Sequence, residues 1–272
     1  MLASRFITLV LLFQIFFTSI SQTPQRIVSL VPSITKQLFE LGVKDNVIGC
    51  TSYCPEKDRK EVTIVASAIK VNIERVLLLK PDLVLASSLT SPKTLETFKK
   101  LGVKIVWFDY PKSYNDLCNQ FLELAKTIGK EKKAQQIIDK ANNELKEIEM
   151  NIVAVKPVTM LMQIGANPLW VAIENTFMND YIKFAKAINI VKGVGNGAVS
   201  RESVLVKNPD VIFIFISGEQ AEIEKRIWLS YKSLNATQNN RIFIIDPNLV
   251  NSPTPSSFIT ALDEILNLAY TY

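Results

Sequence analysis

A chain of 272 residues, 48% hydrophobic and 21% charged, can bury a core in one large domain or two medium ones, which excludes a disordered polymer. Its net charge of +5 is spread over interleaved acids and bases, with no Lys/Arg block set among aromatics, so nucleic acid is not an expected partner. Residues 1–22 stand apart: Arg5 precedes the apolar run from Phe6 to Phe17, and small polar residues follow it. That is the outline of a cleaved secretory signal peptide, and the run is shorter than the roughly 20 apolar residues of a membrane span. An uncleaved anchor is the alternative. No cysteine follows the run, which disfavours a lipid-anchored lipoprotein, so the mature chain is expected to be soluble and exported.

Arg26 to Leu30 reads as a short strand. Pro32 and Ser33 open a helix expected over 34–41, and Gly42 ends it. A strand is expected over 47–49, then a charged loop over 50–62. Asn72 caps a helix reaching residue 79, Pro81 stops it, and 83–86 is a buried strand. Helices over 92–101 and 113–128 enclose a strand over 104–108. Strand and helix alternating over short connections make a parallel sheet flanked by helices. Then comes KEKKAQQIIDKANNELKEIEMN, with apolar residues at Ala134, Ile137, Ile138, Ala141, Leu145 and Ile148. The spacing predicts one long helix over 130–151, about 33 Å of it, bracketed by Gly129 and Pro157.

After that helix the pattern restarts. Strands are expected over 158–164, 170–172, 211–216 and 242–245. Thr176 caps a helix over 177–187, Ser200 caps one reaching 207, and the last helix spans 255–268. The halves also share residues. Glu74-Arg75-Val76-Leu77 leads to Pro81-Asp82, and Glu202-Ser203-Val204-Leu205 leads to Pro209-Asp210 at the same spacing. The strand ending at Asp109 likewise has a counterpart ending at Asp246. Such a repeat indicates two α/β lobes of related construction, 23–129 and 154–272, bridged by one helix over 130–153. In open α/β sheets ligands sit beyond the carboxyl ends of the strands, so facing lobes make a cleft.

The chain has no histidine, which removes the commonest general base and most zinc or manganese sites; no metal site and no catalytic set is expected. Gly193-Val194-Gly195-Asn196-Gly197 follows a helix rather than a strand and reads as a flexible loop, not a nucleotide cradle. Cys50 and Cys54 could form a disulfide in an oxidising compartment, whereas Cys118 falls on an apolar helix face as a buried small hydrophobe. Glu74 and Glu202 each suit a helix start. Their occurrence at equivalent places on both lobes also suits two matched basic sites on a symmetric partner.

The stretches VSLVPSITKQLFELG, NIERVLLLKPDLVLAS, LGVKIVWFD, MQIGANPLWVA and VSRESVLVKNPDVIFI resemble the substrate-binding proteins of ABC importers for cobalamin, ferric siderophores and haem. The resemblance runs from about Arg26 to Tyr272. It implies a class III periplasmic binding protein, two Rossmann-like lobes with central parallel sheets bridged by one long α-helix, that binds without catalysis and carries no cofactor. Its partners would be a small-molecule ligand and an ABC permease dimer with its ATPase. Carried over to this sequence, the ligand residues are Pro32, Tyr53, Ser87, Ser88 and Asp109 in the first lobe and Asn167, Trp170, Ser217 and Asp246 in the second, with Glu74 and Glu202 docking on the permease. The chain departs from many relatives in having Ser256 where they carry an Arg that would suit an anionic siderophore or a haem propionate, which argues against an acidic ligand; the expected ligand is a corrinoid, held by packing and a few hydrogen bonds, or else a ferric siderophore. A haem binder is the alternative within the class, with Tyr53 or Tyr110 as axial ligand. Outside the class stand an exported two-lobed enzyme resting on Asp109, Asp246 or Glu174, and a ligand sensor.

Overall fold

In the computed structural model, residues 24–54, 58–67, 70–152 and 156–270 are described, so the expected signal peptide over 1–22 lies outside the described residues. The first lobe is built on five parallel strands: β1 (Ile27–Ser29), β2 (Val47–Thr51), β3 (Thr63–Ala66), β4 (Leu83–Ser87) and β5 (Ile105–Phe108). Their order is β3-β2-β1-β4-β5. Every residue of β4 is buried, as a strand covered on both faces requires. The helices are α1 (Pro32–Glu40), α2 (Ile73–Leu78), α3 (Pro92–Lys100) and α4 (Tyr114–Thr127). Asn72, Ser91 and Ser113 cap the last three, each side-chain oxygen accepting the backbone N–H three residues on. Helix α1 starts earlier than expected: Val31 is its N-cap, and Pro32 sits inside the first turn, where its missing N–H costs nothing. Strand β3 was not foreseen; it pairs with β2 at the sheet edge.

Helix α5 (Glu131–Asn151) runs unbroken between the lobes. It buries Ala134, Ile138, Ala141 and Leu145, packing on α4 on one side and on the final helix, α11 (Pro255–Tyr270), on the other.

The second lobe holds β6 (Thr159–Gly165), β7 (Leu169–Val171), β8 (Ile188–Asn189), β9 (Ala198–Val199), β10 (Val211–Ile214) and β11 (Ile242–Ile244). Strands β6, β10 and β11 are parallel, as in the first lobe. On the other side of β6 the pairing is mixed: β8 is parallel to the start of β6, whereas β7 turns back antiparallel on β6 and β9 is antiparallel to β7. The expected all-parallel second sheet is therefore mixed, because a tight turn, rather than a crossover helix, joins β6 to β7. Its helices are α6 (Phe177–Phe184), α7 (Arg201–Lys207), α8 (Glu219–Ser230), α9 (Asn235–Gln238) and α10 (Pro247–Asn251), with α11 last. Thr176 does not cap α6; its hydroxyl donates to the Ile173 carbonyl instead. No helix of the described residues is long and apolar enough to cross a membrane.

The sequence repeat is a structural repeat. Ser200 caps α7 as Asn72 caps α2. Both helices lead into a residue in the left-handed region, Lys80 at φ 46° and Asn208 at φ 47°. Asp82 Oδ2 then accepts the Arg26 N–H at 3.0 Å, and Asp210 Oδ2 accepts the Thr159 N–H at 2.8 Å, each tying the helix-to-strand turn to the start of the lobe's central strand.

The lobes are not independent bodies. One continuous hydrophobic cluster includes Ile27 and Leu83, Ala134 and Ile138, and Met160 and Phe213. Within it Phe258 of α11 stacks on Tyr181 at 4.4 Å and lies 4.5 Å from Tyr114, joining rings from both lobes. Polar contacts close the same seam. Gln37 Nε2 donates to the Pro253 carbonyl, Lys36 Nζ to the Asn248 carbonyl, and the Tyr114 N–H to Asp180 Oδ2 at 2.8 Å. Because α1 follows β1, Tyr114 follows β5 and Asn248 follows β11, these contacts bring the carboxyl ends of both sheets to one side of the molecule.

Candidate functional site

That shared edge carries the residues singled out from the sequence. In the first lobe Pro32 follows β1, Tyr53 follows β2, Ser88 follows β4 and Asp109 follows β5. In the second, Asn167 lies in the turn between β6 and β7, Trp170 on β7, Ser217 after β10 and Asp246 after β11. Two hollows open on the first rim. Pro32, Thr51, Tyr53 and Leu89 line one of about 150 Å³, and Ser88, Asp109, Tyr110 and Gln120 line another of about 690 Å³. Tyr53, Leu89, Tyr110, Ile164 and Trp170 expose their side chains along this edge, an unusual gathering of apolar surface.

Trp170 is held in place. A Cβ on Gly165 would approach its ring to 3.0 Å, and one on Gly197 would come within 3.1 Å of it. Both glycines leave room for the indole where it lies between the β6 end and β9. Gly197, part of the glycine-rich loop noted in the sequence, has a packing role.

Ser87 is buried below the rim: its Oγ accepts the Leu89 N–H and its carbonyl accepts the Thr90 N–H, so it shapes the turn that presents Ser88 and Leu89. No bridge joins Cys50 and Cys54; the described cysteines are thiols, all buried. Ser256 hydrogen-bonds Glu40 of α1, on the seam between the lobes.

Asp246 caps α10 through the Asn248 N–H at 2.9 Å and stands near Lys36, which the sequence reading missed. Burial lowers the Lys36 pKa, while Glu40 and Asp246 pull it back up. This half-buried cation belongs to the seam. Nothing in the sequence marks it, because its partners lie at the far end of the chain.

The second lobe also hides a charge network. Glu224 of α8 is only 2% exposed, and its Oε2 accepts Arg201 Nη2 and Gln163 Nε2, both at 2.5 Å. Gln163 in turn accepts the Trp228 indole N–H at 2.7 Å, and Arg201 lies over the Trp228 ring at 4.8 Å. The network links β6, which ends at the rim, to the start of α7.

The thiols behave differently from one another. Cys54 Sγ lies 3.1 Å from Thr35 Oγ1 and 3.3 Å from Thr51 Oγ1. A hydrogen bond from Cys50, and then those of the two hydroxyls, lower its pKa to about 6 against the opposing effect of burial. Burial instead raises the Cys118 thiol to about 11. Iodoacetamide at neutral pH is expected to label Cys54 before Cys118 in the folded protein, with mass spectrometry locating the adduct. Labelling of Cys118 first, or a Cys50–Cys54 disulfide in the unlabelled peptide map, would contradict the arrangement.

Comparison with known proteins fits this geometry. The family model described as periplasmic binding protein matches residues 27–249. A substrate-binding lipoprotein of an ABC transporter from Bacillus subtilis, YvrC, is 28% identical over 93% of this chain and 82% of that protein. The vitamin B12-binding protein of Photorhabdus laumondii is 27% identical over 82% of each chain. Among solved structures, a possible iron-binding periplasmic solute-binding protein from Staphylococcus epidermidis superposes with a TM-score of 0.80 at 25% identity, covering 92% of this chain and all of the other.

Proposed function

Since the chain belongs to the periplasmic binding protein family, whose model spans most of it, we propose that it captures a corrinoid, or else a ferric siderophore, between its two rims and delivers it to the permease dimer of an ABC importer. The observation that carries this reading is the exposed aromatic and aliphatic edge, with Tyr53 and Tyr110 on one lobe and Trp170 on the other. Such rings bury a large area at small entropic cost, which suits a broad, flat ligand. Ser88, Asn167 and Ser217 add hydroxyl and amide groups; Asp109 and Asp246 add carboxylates. The protein works outside the cytoplasm, exported by a signal peptide cleaved near residue 22. It binds without catalysing a reaction and needs no cofactor of its own. The shared core and the unbroken α5 favour small closure motions over a wide hinge.

Calorimetric titration of the purified protein with cyanocobalamin, a ferric hydroxamate siderophore and haemin tests the reading. Cyanocobalamin or the siderophore is expected to bind, and Trp170→Ala is expected to weaken that binding roughly 30-fold, the loss typical of a central aromatic contact. A heat with haemin alone would move the assignment to haem. No heat with any of the three would remove the ligand assignment.

A further inference from the structure

The two docking helices repeat more than their glutamates. The step along the chain that carries Glu74 to Glu202 also carries Val76 to Val204, Leu78 to Val206 and Lys80 to Asn208. Val76 and Val204 are fully buried and anchor each helix to its sheet. Leu78 and Val206 point the other way and are 79% and 86% exposed. With Leu89 on the ligand rim at 81%, they are the three most exposed large aliphatic side chains among the described residues. A lone exposed leucine needs no explanation. The same position laid bare on both lobes does, because each helix, six residues long in the first lobe and seven in the second, is capped at its start, ended by a left-handed residue and followed by a turn pinned by Asp82 or Asp210, so each helix is held in place.

Leu78 lies four residues after Glu74, and Val206 four after Glu202, which places each aliphatic residue on the same helix face as its acid. We infer that Leu78 and Val206 form, with Glu74 and Glu202, the contact surface for a homodimeric membrane protein that presents two copies of an apolar seat bordered by basic side chains. The duplication argues for a partner carrying its own surface twice, and the acids argue for its charge. This rests on the delivery function proposed above and assigns the two parts of the contact separate tasks. The acids attract the partner and set the register; the aliphatic side chains, once buried, slow its release.

The test immobilises the importer's own permease–ATPase complex in lipid nanodiscs and measures association and dissociation of three proteins at low and high salt. These are the wild type, the Leu78→Ser/Val206→Ser variant and the Glu74→Ala/Glu202→Ala variant, each first shown to melt at the wild-type temperature. The serine variant is expected to dissociate roughly 100-fold faster, about tenfold per side chain, with its salt dependence kept. The alanine variant is expected to associate more slowly and to lose most of that salt dependence. If the serine variant dissociates like the wild type while the alanine variant is impaired, the inference fails and the delivery reading stands. If the wild type itself does not bind the complex, the delivery reading fails and this inference with it.

Discussion

Cells that rely on this protein are expected to lose ligand uptake when Glu74 and Glu202 are both replaced by alanine, while the purified variant binds ligand as the wild type does. Both carboxylates are exposed, and each lies in the first turn of a short helix whose first residues follow the carboxyl end of a strand. Glu202 has a local role: its own backbone N–H, then the Ser200 hydroxyl and Arg201, hold its carboxyl below the usual range. The sign follows directly. The charged form is favoured in the fold, so this interaction is present above the ordinary carboxylate pKa and fades as pH falls through the depressed value. Docking through Glu202 should therefore persist in mildly acidic medium. Charge reversal, Glu74→Lys with Glu202→Lys, should be worse than alanine, because like charges then oppose across the contact. Radiolabelled uptake beside calorimetry on the same variants separates the two roles. Wild-type uptake in the alanine variant would remove the docking assignment; impaired ligand binding would place these acids elsewhere in the mechanism.

Much of this arrangement was legible in the amino-acid order because it rests on local rules. Asn72, Ser113 and Ser200 are good capping residues and do cap. The apolar stripe from Ala134 to Leu145 is continuous, and so is the helix. The repeat from Glu to Pro-Asp was visible because a short helix, a left-handed turn and a buried strand constrain side chains in the same way twice. What escaped was set by distant partners. Strand β3 spans only Thr63–Ala66 behind a charged loop, and its identity depends on pairing with β2. Helix α8 was missed because its buried positions are Ala221, Glu224 and Trp228, so a carboxylate interrupts the apolar stripe that would have announced it. The rim followed from strand ends, as the topology of parallel sheets dictates. The seam did not, since Lys36 and Gln37 meet Asn248 and Pro253 only in the folded chain.

Replacing Arg201 by methionine is expected to destabilise the protein by about 3–5 kcal/mol, the usual penalty for stranding a buried charge. Arg201 is the first residue of α7, where a cation opposes the helix dipole, so local propensity does not account for it. Its partner does. Glu224 is buried, and the remaining donors to it, Gln163 and Gln220 amides, are neutral. For a chain of this size the penalty corresponds to a melting temperature lower by roughly 10 °C, from about 2–4 °C per kcal/mol. Glu224→Gln should cost less, because Arg201 keeps some access to water whereas Glu224 has almost none. Joining Arg201→Met to Glu224→Leu should restore much of the loss, since a packed apolar pair often matches a buried ion pair. A double-mutant cycle by calorimetry reads the coupling directly. Additive effects, or a single Arg201→Met variant melting with the wild type, would show that the pair does not hold α7. Coupling would mean that the helix bearing Glu202 is fixed through Gln163 to the strand whose end presents Trp170. Ligand rim and docking face would then share one buried anchor in the second lobe, whereas α2 in the first lobe carries Ile73 in place of the arginine.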